Sequence, residues 1–538
     1  MMKSNLRVLT LGVLISNALI ACGSGSGDGS ENTGNGTPSG QQTSTTPAED
    51  EPASQQNAPD GGLFIEQDDL SWTPCGEPLE CAELTVPIDY ANPTANVIHI
   101  DLIRYPAKQQ TRKGSLLTNP GGPGGSGIEL VRDLIEFNAI PPAILAEFDI
   151  VGFDPRGVAG SSAINCTDDN IELDDAYPNT RAEVELVYNA ISQFAGTCFE
   201  QYGSYVQFLG SNNVVRDMEE IRKAMQEPML NFLGYSYGTR IAALYLQAYP
   251  ATSGRMILDG SMPPQPDTLN LWFGGMQAAQ VNISSMLAKC TIIDAQCDSG
   301  ELAIQLQNKV DALEAAPGPR DEINALGAIL QLAATIPAID ELVIKALHPY
   351  LTAGNINPLI TLLARINEIL GDSGVNTGAY LAVMCADDPA RPTVDSLVGL
   401  LPTFNAASDL LAESYVSSAA ICAGWPESID PIPVIATGQA PVSLVIGGPT
   451  DAQTPLQWAK ETAFALGGQF LRSEHEGHTV VFSQTNVCSD AAAENFLREG
   501  LLPATDNCPA NLVAAADLQE KKLNALKLQL RRSMRPVW

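Results

Sequence analysis

A serine between two glycines is the feature of this sequence that best fits covalent chemistry. Gly234-Tyr235-Ser236-Tyr237-Gly238 follows the apolar run MLNFL and precedes the helical pattern TRIAALYLQAY. In that setting the glycines permit a sharp strand-to-helix turn that exposes the serine hydroxyl. The pentapeptide pattern recurs by chance in a chain with 45 glycines. Its strand and helix context predicts that Ser236 is a nucleophile.

A serine nucleophile needs a general base, and the sequence offers four histidines. His99 lies in an alternating strand pattern, and His348 lies in a helical region before a proline. His475 and His478 both follow the late strand pattern QFLRSE. We predict that His478 is the base, because Gly477 lets the loop aim it and the apolar run TVVF can pack behind it. His475, between Glu474 and Glu476, is expected to face solvent.

The imidazole in turn needs a carboxylate to orient it and to stabilise its charged form. Asp451 follows the strand pattern PVSLVIGG after a short turn and is the predicted partner. Asp259, at the end of the earlier strand pattern RMILDG, is the competing acid. Just beyond Asp451, residues 454–457 (TPLQ) predict a capping box with proline at the first helical position.

A glycine-rich loop supplies candidates for an oxyanion hole. The run NPGGPGGSG at 119–127 follows the strand pattern GSLLT, where backbone amides can face the serine. Pro123 has no N–H, so the predicted donors are the backbone N–H groups of Gly122 and of Tyr237, which follows the nucleophile. A phosphate cradle is the alternative. The loop lacks the Lys-Ser/Thr ending of a P-loop, which argues against it.

Short β-rich runs alternate with helical patterns from residue 83 onward. The predicted strands are ELTVPI, NVIHIDLIRY, GSLLTN, FDIVGFD, NFLGYS, RMILDG, PVSLVIGG and QFLRSE. Several are separated by amphipathic stretches with the three-to-four spacing of helices, such as NVVRDMEEIRKAMQ. This alternation predicts a doubly wound, mostly parallel α/β sheet, whose ligands bind beyond the carboxyl ends of the strands.

Residues 266–430 differ, since they are rich in Ala, Leu and Ile at helical spacing and contain few strand patterns. The strand pattern resumes at Pro441, which predicts a helical cap inserted into the α/β domain. We expect the core to comprise 63–265 and 431–538. The stretch NLVAAADLQEKKLNALKLQLRRSM near the end predicts an amphipathic helix.

The N-terminal residues read as an export signal. Lys3 and Arg7 precede the apolar run VLTLGVLISNALIA, and Leu19-Ile20-Ala21-Cys22 resembles a bacterial lipobox. We therefore expect a signal peptide at 1–21 and a lipid on Cys22. Residues 22–62 have almost no apolar side chains beyond alanine and predict a disordered tether. An ordinary secretory signal with a chance cysteine is the alternative.

Ten cysteines follow Cys22, and an even number in an exported chain indicates disulfides. Their spacing groups them as neighbours, although connectivity does not follow from sequence alone. The grouping is 75–81, 166–198, 290–297, 385–422 and 488–508. A zinc site is the alternative, and the absence of C-x2-C and the four histidines argue against any metal.

Charge excludes one class of partner. Sixty-two acidic against twenty-nine basic residues give a net charge of -33, which repels nucleic acid and anionic lipid headgroups. No apolar run after the first twenty residues is long enough for a transmembrane helix. Any membrane attachment is therefore expected through the lipid anchor alone, at the cell envelope.

Five ordered motifs give the chain a family resemblance: NPGGPGGSG, FDIVGFDPRGVAGSS, GYSYGTR, CADD and GGPTDAQTP…EGH. Between about residues 70 and 510 it resembles the secreted tripeptidyl aminopeptidase and proline iminopeptidase group of α/β-hydrolases, the TAP-like family. The order Ser236, Asp451, His478 is also the α/β-hydrolase order. Proline iminopeptidases carry a histidine where this loop has Asn119-Pro120, so the resemblance is nearer to the tripeptidyl branch.

The resemblance implies a serine exopeptidase without a cofactor. It would release short peptides, such as tripeptides, or single residues from free N-termini through an acyl-enzyme. Such an enzyme needs an anionic site for the substrate ammonium, for which Asp387, Asp388 or a glutamate of the cap is the candidate. A carboxylesterase or lipase with the same triad is the second hypothesis, since an ester and an amide are attacked with the same geometry. The third is a catalytically inactive envelope-binding lipoprotein, against which the intact Ser, His and Asp set argues.

Overall fold

The computed structural model describes residues 70–510, except 109, 167–177, 317–320, 371–375, 409 and 437–442. The predicted signal peptide, the tether, Cys22 and the helical pattern after residue 510 lie outside the described residues.

Within the described residues, ten strands form one sheet in the order β1-β2-β3-β5-β4-β6-β7-β8-β9-β10. The strands are β1 Thr73–Pro74, β2 Glu80–Pro87, β3 Val97–Tyr105, β4 Gly114–Asn119, β5 Phe148–Phe153, β6 Leu230–Tyr235, β7 Ser253–Asp259, β8 Ser443–Gly447, β9 Gln469–Ser473 and β10 Asn507–Cys508. Pairing is antiparallel from β1 through β2 and β3 to β5, and parallel between all other neighbours. The eight strands from β2 to β9 are those that the sequence predicts. The two-residue strands β1 and β10 are too short to show an alternation pattern.

Helices connect the parallel strands and fill a long segment between β7 and β8. They are α1 Gly127–Glu136, α2 Pro142–Glu147, α3 Arg181–Tyr202, α4 Ser211–Ala224, α5 Tyr237–Ala248, α6 Thr268–Ala288, α7 Cys290–Ile293, α8 Ser299–Glu314, α9 Asp321–Thr335, α10 Asp340–Ala353, α11 Asn357–Leu370, α12 Thr377–Asp387, α13 Val394–Ala407, α14 Ala412–Ala419, α15 Leu456–Leu466 and α16 Val487–Glu499. Short 3-10 helices span Gly203–Phe208 and Pro337–Ile339.

The central strands are buried on both faces. Every residue of β4 and of β5 is buried, as a parallel sheet covered by helices on each side requires. One apolar cluster includes Phe232, Ile241 and Met218, and a second includes Leu233, Leu130 and Phe496. Since successive strand residues Phe232 and Leu233 point to opposite faces, the two clusters are the two covered faces of the sheet. The predicted α/β-hydrolase fold is confirmed.

The inserted region, α6 to α14, has an apolar cluster of its own, with Ile283, Leu306 and Leu347 among its members. Two helices cross the expected division between core and cap. Helix α3, expected in the core, adds Val184 and Ile191 to the cap cluster. Helix α12, expected in the cap, packs its buried residues into the core cluster. These are long-range contacts that periodicity does not encode.

The five disulfides match the predicted neighbour grouping. They join Cys75–Cys81, Cys166–Cys198, Cys290–Cys297, Cys385–Cys422 and Cys488–Cys508. Two of them join a helix to a segment later in the chain. Cys385 is on α12 and Cys422 is just after α14. Cys488 is on α16 and Cys508 ends the sheet at β10.

No single helix among those described combines the length and apolar character that crossing a bilayer requires. The pair Glu322–Thr335 and Pro337–Ala353 meets the criterion only when joined, and it is bent by 113°. Among the same residues there is no group of three or more His, Cys, Asp or Glu side chains suited to a metal ion.

Candidate active site

The turn between β6 and α5 holds Ser236 in a strained conformation. Ser236 has φ 55° and ψ -124°, a region that non-glycine residues rarely occupy. Its N–H donates to the carbonyl of Asp259 (2.9 Å), which fixes the turn to the end of β7. A Cβ on Gly234 would overlap the Gly238 carbonyl, and one on Gly238 would lie 2.9 Å from the Asn119 carbonyl. Both glycines of the motif are therefore required by close packing, and the turn presents Ser236 at the carboxyl end of the sheet.

His478 and Asp451 form a buried pair beyond the ends of β9 and β8. Nδ1 of His478 lies 2.9 Å from Oδ1 and 2.8 Å from Oδ2 of Asp451, and both side chains are 1% exposed. The bond assigns the proton to Nδ1 and leaves the Nε2 lone pair free. Nε2 is buried and has no hydrogen-bond partner within the described part of the chain. Burial opposes ionisation of Asp451, but the positive charge that His478 carries when protonated, together with the hydrogen bonds from His478 and Thr454, outweighs it and lowers the pKa of Asp451.

Thr454 supports Asp451, a contact that the sequence analysis missed. The predicted capping box is wrong: α15 begins at Leu456, Pro455 occupies the N-cap position, and no side chain caps the helix. The Thr454 N–H donates to Oδ1 of Asp451 (2.8 Å), and its hydroxyl donates to Oδ2 (2.8 Å). That hydroxyl also lies 3.2 Å from Nδ1 of His478. In the sequence, the spacing Asp-x-x-Thr before a proline could have indicated this contact.

His475 is buried, which corrects the expectation that it faces solvent. It is 6% exposed, and its Nδ1 lies 3.2 Å from the carbonyl of Ser473. Its ring packs against Gly448, where an added Cβ would lie 2.9 Å from both ring nitrogens. Burial lowers the pKa of His475 to about 4, so the ring is neutral at pH 7. Flanking glutamates predicted exposure because they are polar, but the loop turns the ring inward.

Asp259, the competing acid, holds the histidine loop instead of the imidazole. Its Oδ2 accepts the N–H groups of Val480 (2.8 Å) and Val481 (2.7 Å). The Tyr235 hydroxyl donates to the carbonyl of Val481 (3.0 Å). Thr479, between His478 and this anchor, has φ 60°. The ends of β6 and β7 therefore fix the backbone directly after His478.

Thr450 joins the loops that carry Asp451 and His478. Its hydroxyl donates to the carbonyl of His475 (3.1 Å) and accepts the N–H of Gly477 (3.0 Å). Its own carbonyl accepts a hydrogen bond from the amide of Asn282 on α6 (2.8 Å). A cap helix and both loops thus share one anchoring residue.

The glycine loop lies against the nucleophile turn, as predicted. A Cβ on Gly121 (φ 95°) would lie 2.7 Å from Cβ of Ser236 and 3.1 Å from the backbone N of Tyr237. Gly122 has φ 105° and lines the same cavity as Ser236. Tyr237 is the first residue of α5, so its N–H has no acceptor within the helix. Gly122 therefore shares a cavity with Ser236, Tyr237 follows Ser236 in the turn, and Gly121, which the sequence analysis did not single out, packs against that turn.

A cavity opens above Ser236 between core loops and cap helices. Its lining is contributed by α6, α9, α12 and α14 from the cap and, from the core, by the glycine loop, the segment after β7 and the loops that carry Ser236 and Asp451. The lining residues are Gly122, Ser236, Met262, Leu271, Trp272, Gly275, Ala279, Gln331, Ala334, Thr335, Tyr380, Met384, Tyr415, Ala452, Gln453 and Thr454. Among these described lining residues there is no Asp, Glu, Lys, Arg or His.

Asp387 and Asp388, the predicted ammonium site, do not line this cavity. Asp387 accepts the N–H (2.6 Å) and hydroxyl (2.5 Å) of Ser211. Asp388 accepts the N–H groups of Thr268 (2.9 Å) and Ala390 (2.8 Å). Burial raises the pKa of Asp387 to about 6, although the charge of Arg240 opposes the shift. Asp387 therefore joins the cap to core helix α4, and Asp388 joins the start of α6 to the segment after α12.

The remaining two histidines lie away from this pair and contact other acidic residues. His99 lies on β3 within 3.1 Å of Glu83 on the neighbouring strand. His348 lies on α10 within 2.9 Å of Asp294. Glu83 and Asp294 are 59% and 35% exposed, whereas Asp451 is 1% exposed, so His478 is the histidine paired with a buried carboxylate.

Comparison with known proteins agrees with this architecture. Residues 114–281 match a family model described as alpha/beta hydrolase fold, and residues 408–509 match one described as TAP-like protein. Serine protease Hip1 of Mycobacterium tuberculosis is 31% identical over 472 residues, with 81% of this chain and 89% of that protein covered.

Two further relatives carry different activity names. Tripeptidyl aminopeptidase of Streptomyces lividans is 26% identical over 470 residues, covering 81% of this chain and 86% of that protein. Carboxylesterase B of Mycobacterium tuberculosis is 30% identical over 478 residues, covering 81% of this chain and 89% of that protein. The chain belongs to the TAP-like family of α/β-hydrolases, and it is a serine hydrolase.

Proposed function

We propose that Ser236, His478 and Asp451 form a catalytic triad that hydrolyses peptide bonds through an acyl-enzyme. The observation that carries the proposal is the buried His478–Asp451 pair, whose Nδ1–Oδ2 distance is 2.8 Å. The pair lies beyond the carboxyl ends of the strands, as does the strained Ser236. A strained serine and an imidazole with a free Nε2 are the two parts that acyl transfer requires.

In this mechanism the Ser236 hydroxyl attacks the substrate carbonyl while Nε2 of His478 takes its proton. Asp451 holds the resulting imidazolium, and Thr454 holds Asp451 through two hydrogen bonds. The N–H groups of Gly122 and Tyr237 stabilise the oxyanion. His478 then protonates the leaving amine, and a water molecule activated by the same histidine releases the acyl group. No step requires a cofactor.

The proposed substrates are polypeptides with free N-termini, from which the enzyme releases short peptides such as tripeptides. The name and coverage of the Streptomyces relative support this choice. Release of single residues is less well supported, because the ammonium would then lie one carbon from the attacked carbonyl. No carboxylate lines the described cavity there. In a tripeptidyl substrate the ammonium lies roughly 10 Å away, at ~3.3–3.6 Å per extended residue, and can bind outside this cavity.

The experiment compares a tripeptidyl p-nitroanilide with its N-acetylated form. Removing one partner of an ammonium–carboxylate pair costs about 2–5 kcal/mol, so acetylation should lower kcat/KM by roughly 30-fold or more. A single aminoacyl p-nitroanilide should be cleaved more slowly than the free tripeptidyl substrate. Ser236→Ala is the control for contaminating peptidases. Equal cleavage of free and acetylated substrates would contradict exopeptidase action.

A carboxylesterase is the second candidate. The uncharged, largely apolar cavity lining favours it, and so does the carboxylesterase relative. The same assay separates the two functions when p-nitrophenyl esters of equal acyl group are added. An esterase would prefer simple esters strongly and would be indifferent to acetylation. A catalytically inactive binding protein would cleave none of these substrates.

We also propose that the protein is exported and anchored to the bacterial envelope through a lipid on Cys22. The N-terminal lipobox pattern supports this location, and so do the five disulfides, which persist in oxidising compartments. The test is the detergent phase partition of the full chain expressed in a bacterium. Wild type should enter the detergent phase and Cys22→Ala the aqueous phase; identical partition would contradict the anchor.

A further inference from the structure

One face of helix α6 forms a wall of the cavity. Leu271, Gly275 and Ala279 recur at intervals of four residues, so they lie on the same side of the helix, and all three line the cavity. Glycine and alanine are the two smallest residues, and Gly275 and Ala279 lie in the middle of a 21-residue helix. The wall is therefore recessed at Gly275 and Ala279, one and two turns after Leu271.

Gly275 is not required by the packing of the protein itself. An added Cβ would lie 3.4 Å from the carbonyl O of Ala452 and 3.7 Å from Cε1 of Tyr415, which are ordinary contacts. At the neighbouring Gly274, by contrast, an added Cβ would lie 2.9 Å from Cζ2 of Trp458. Glycine also destabilises a helix interior relative to alanine. What the missing side chain at position 275 provides is space in the cavity.

An aromatic side chain from α14 faces this helix across the cavity lining. Tyr415 packs edge-on against Trp272 of α6, with ring centroids 6.2 Å apart. The hydroxyls of Thr335 and Thr454 are already bonded within the protein, to backbone carbonyls and to Asp451 respectively. Because the described lining has no charged side chain, an ionised substrate group would be desolvated there without a partner.

We propose that this cavity is the subsite for an uncharged, apolar side chain on the residue that acylates Ser236, and that Gly275 sets its depth. The inference rests on the proposed acyl-enzyme mechanism and specifies its substrate. It applies to a peptide or an ester, since the acyl group is the same in both.

The test uses Ala-Ala-Xaa p-nitroanilides and the matching p-nitrophenyl esters, with Xaa Ala, Leu, Phe, Lys or Asp. For wild type, kcat/KM with Leu should exceed that with Lys or Asp by roughly 100-fold, since the charged groups are buried without partners. Gly275→Ala should lower kcat/KM for Leu by roughly 10-fold, the effect of about one methylene, and should leave Ala within about 3-fold. Ala279→Gly should raise the Phe-to-Leu ratio.

Gly399→Ala is the matched control, because Gly399 lies in helix α13 and an added Cβ there would meet nothing within 4 Å. It should leave every ratio unchanged. A preference for Lys or Asp, or an equal loss for all five substrates in Gly275→Ala, would overturn the subsite. Hydrolysis that persists in Ser236→Ala would instead refute the proposed function, so the two failures are distinguishable.

Discussion

Replacing Thr450 by valine removes a hydroxyl that bridges the two loops of the proposed triad while keeping the side-chain shape. The hydroxyl makes two hydrogen bonds, to the carbonyl of His475 (3.1 Å) and from the N–H of Gly477 (3.0 Å). At about 1 kcal/mol each, with an added cost for the partly buried groups left unpaired, the loss amounts to about 1–3 kcal/mol. If this free energy is lost from the alignment of His478 with Asp451 in the transition state, kcat drops by roughly 10- to 100-fold.

The assay is steady-state cleavage of the tripeptidyl p-nitroanilide together with thermal unfolding. KM should change little, because Thr450 does not line the cavity. Thr450→Ser should restore kcat to within about 3-fold, since it returns both hydrogen bonds. Thr291→Val is the matched control: it removes an exposed hydroxyl contact to Ser299 in the cap. If Thr450→Val lowers Tm but keeps wild-type kcat, the hydroxyl serves stability alone and the positioning argument is refuted.

Four further predictions follow from the same structure. Ser236→Ala and His478→Ala should each lower kcat by roughly 10³- to 10⁶-fold, with Asp451→Asn somewhat milder. His475→Ala should keep kcat within about 3-fold but lose about 1–3 kcal/mol of stability, because it leaves a cavity at a buried position. An inactive His475→Ala together with an active His478→Ala would show that the wrong histidine is assigned. Thiol titration of the denatured, unreduced exported protein should find no reactive cysteine, and two or more per chain would contradict the five bridges. Burial raises the pKa of Asp387 to about 6, above its unfolded value, so its stability contribution is present below about pH 4 and lost as pH rises through 6. Relative to Asp387→Asn, wild type should therefore lose up to about 3 kcal/mol between about pH 4 and pH 7 in urea unfolding, and parallel curves would contradict the shift.

The strands and the three proposed catalytic residues were accessible from sequence because their signals are local. Buried parallel strands read as short apolar runs, as β4 and β5 show. The nucleophile turn needs glycines at fixed offsets, and the acid and base follow identifiable strands. The disulfides joined sequence neighbours, which made the grouping by spacing effective.

The supporting contacts were not accessible, because they join residues far apart in the chain. Thr454 matched a helix-capping pattern, yet its hydroxyl binds Asp451 and lies near His478. Asp259 has the chemistry of a triad acid, and only the structure shows that it binds the Val480 and Val481 amides. Asp387 fits an ammonium site by type, but Ser211 occupies its carboxylate. For these three residues the residue type suggested a role, and only the tertiary contacts show which partner the side chain binds.

The central claim is that Ser236 is the nucleophile and that His478 activates it. The most direct measurement is reaction of the purified protein with a fluorophosphonate, followed by peptide mass mapping. The account predicts one adduct per chain, on the peptide that contains Ser236, with labelling abolished in Ser236→Ala and slowed at least 100-fold in His478→Ala. Labelling of another residue, or equally fast labelling of His478→Ala, would contradict it.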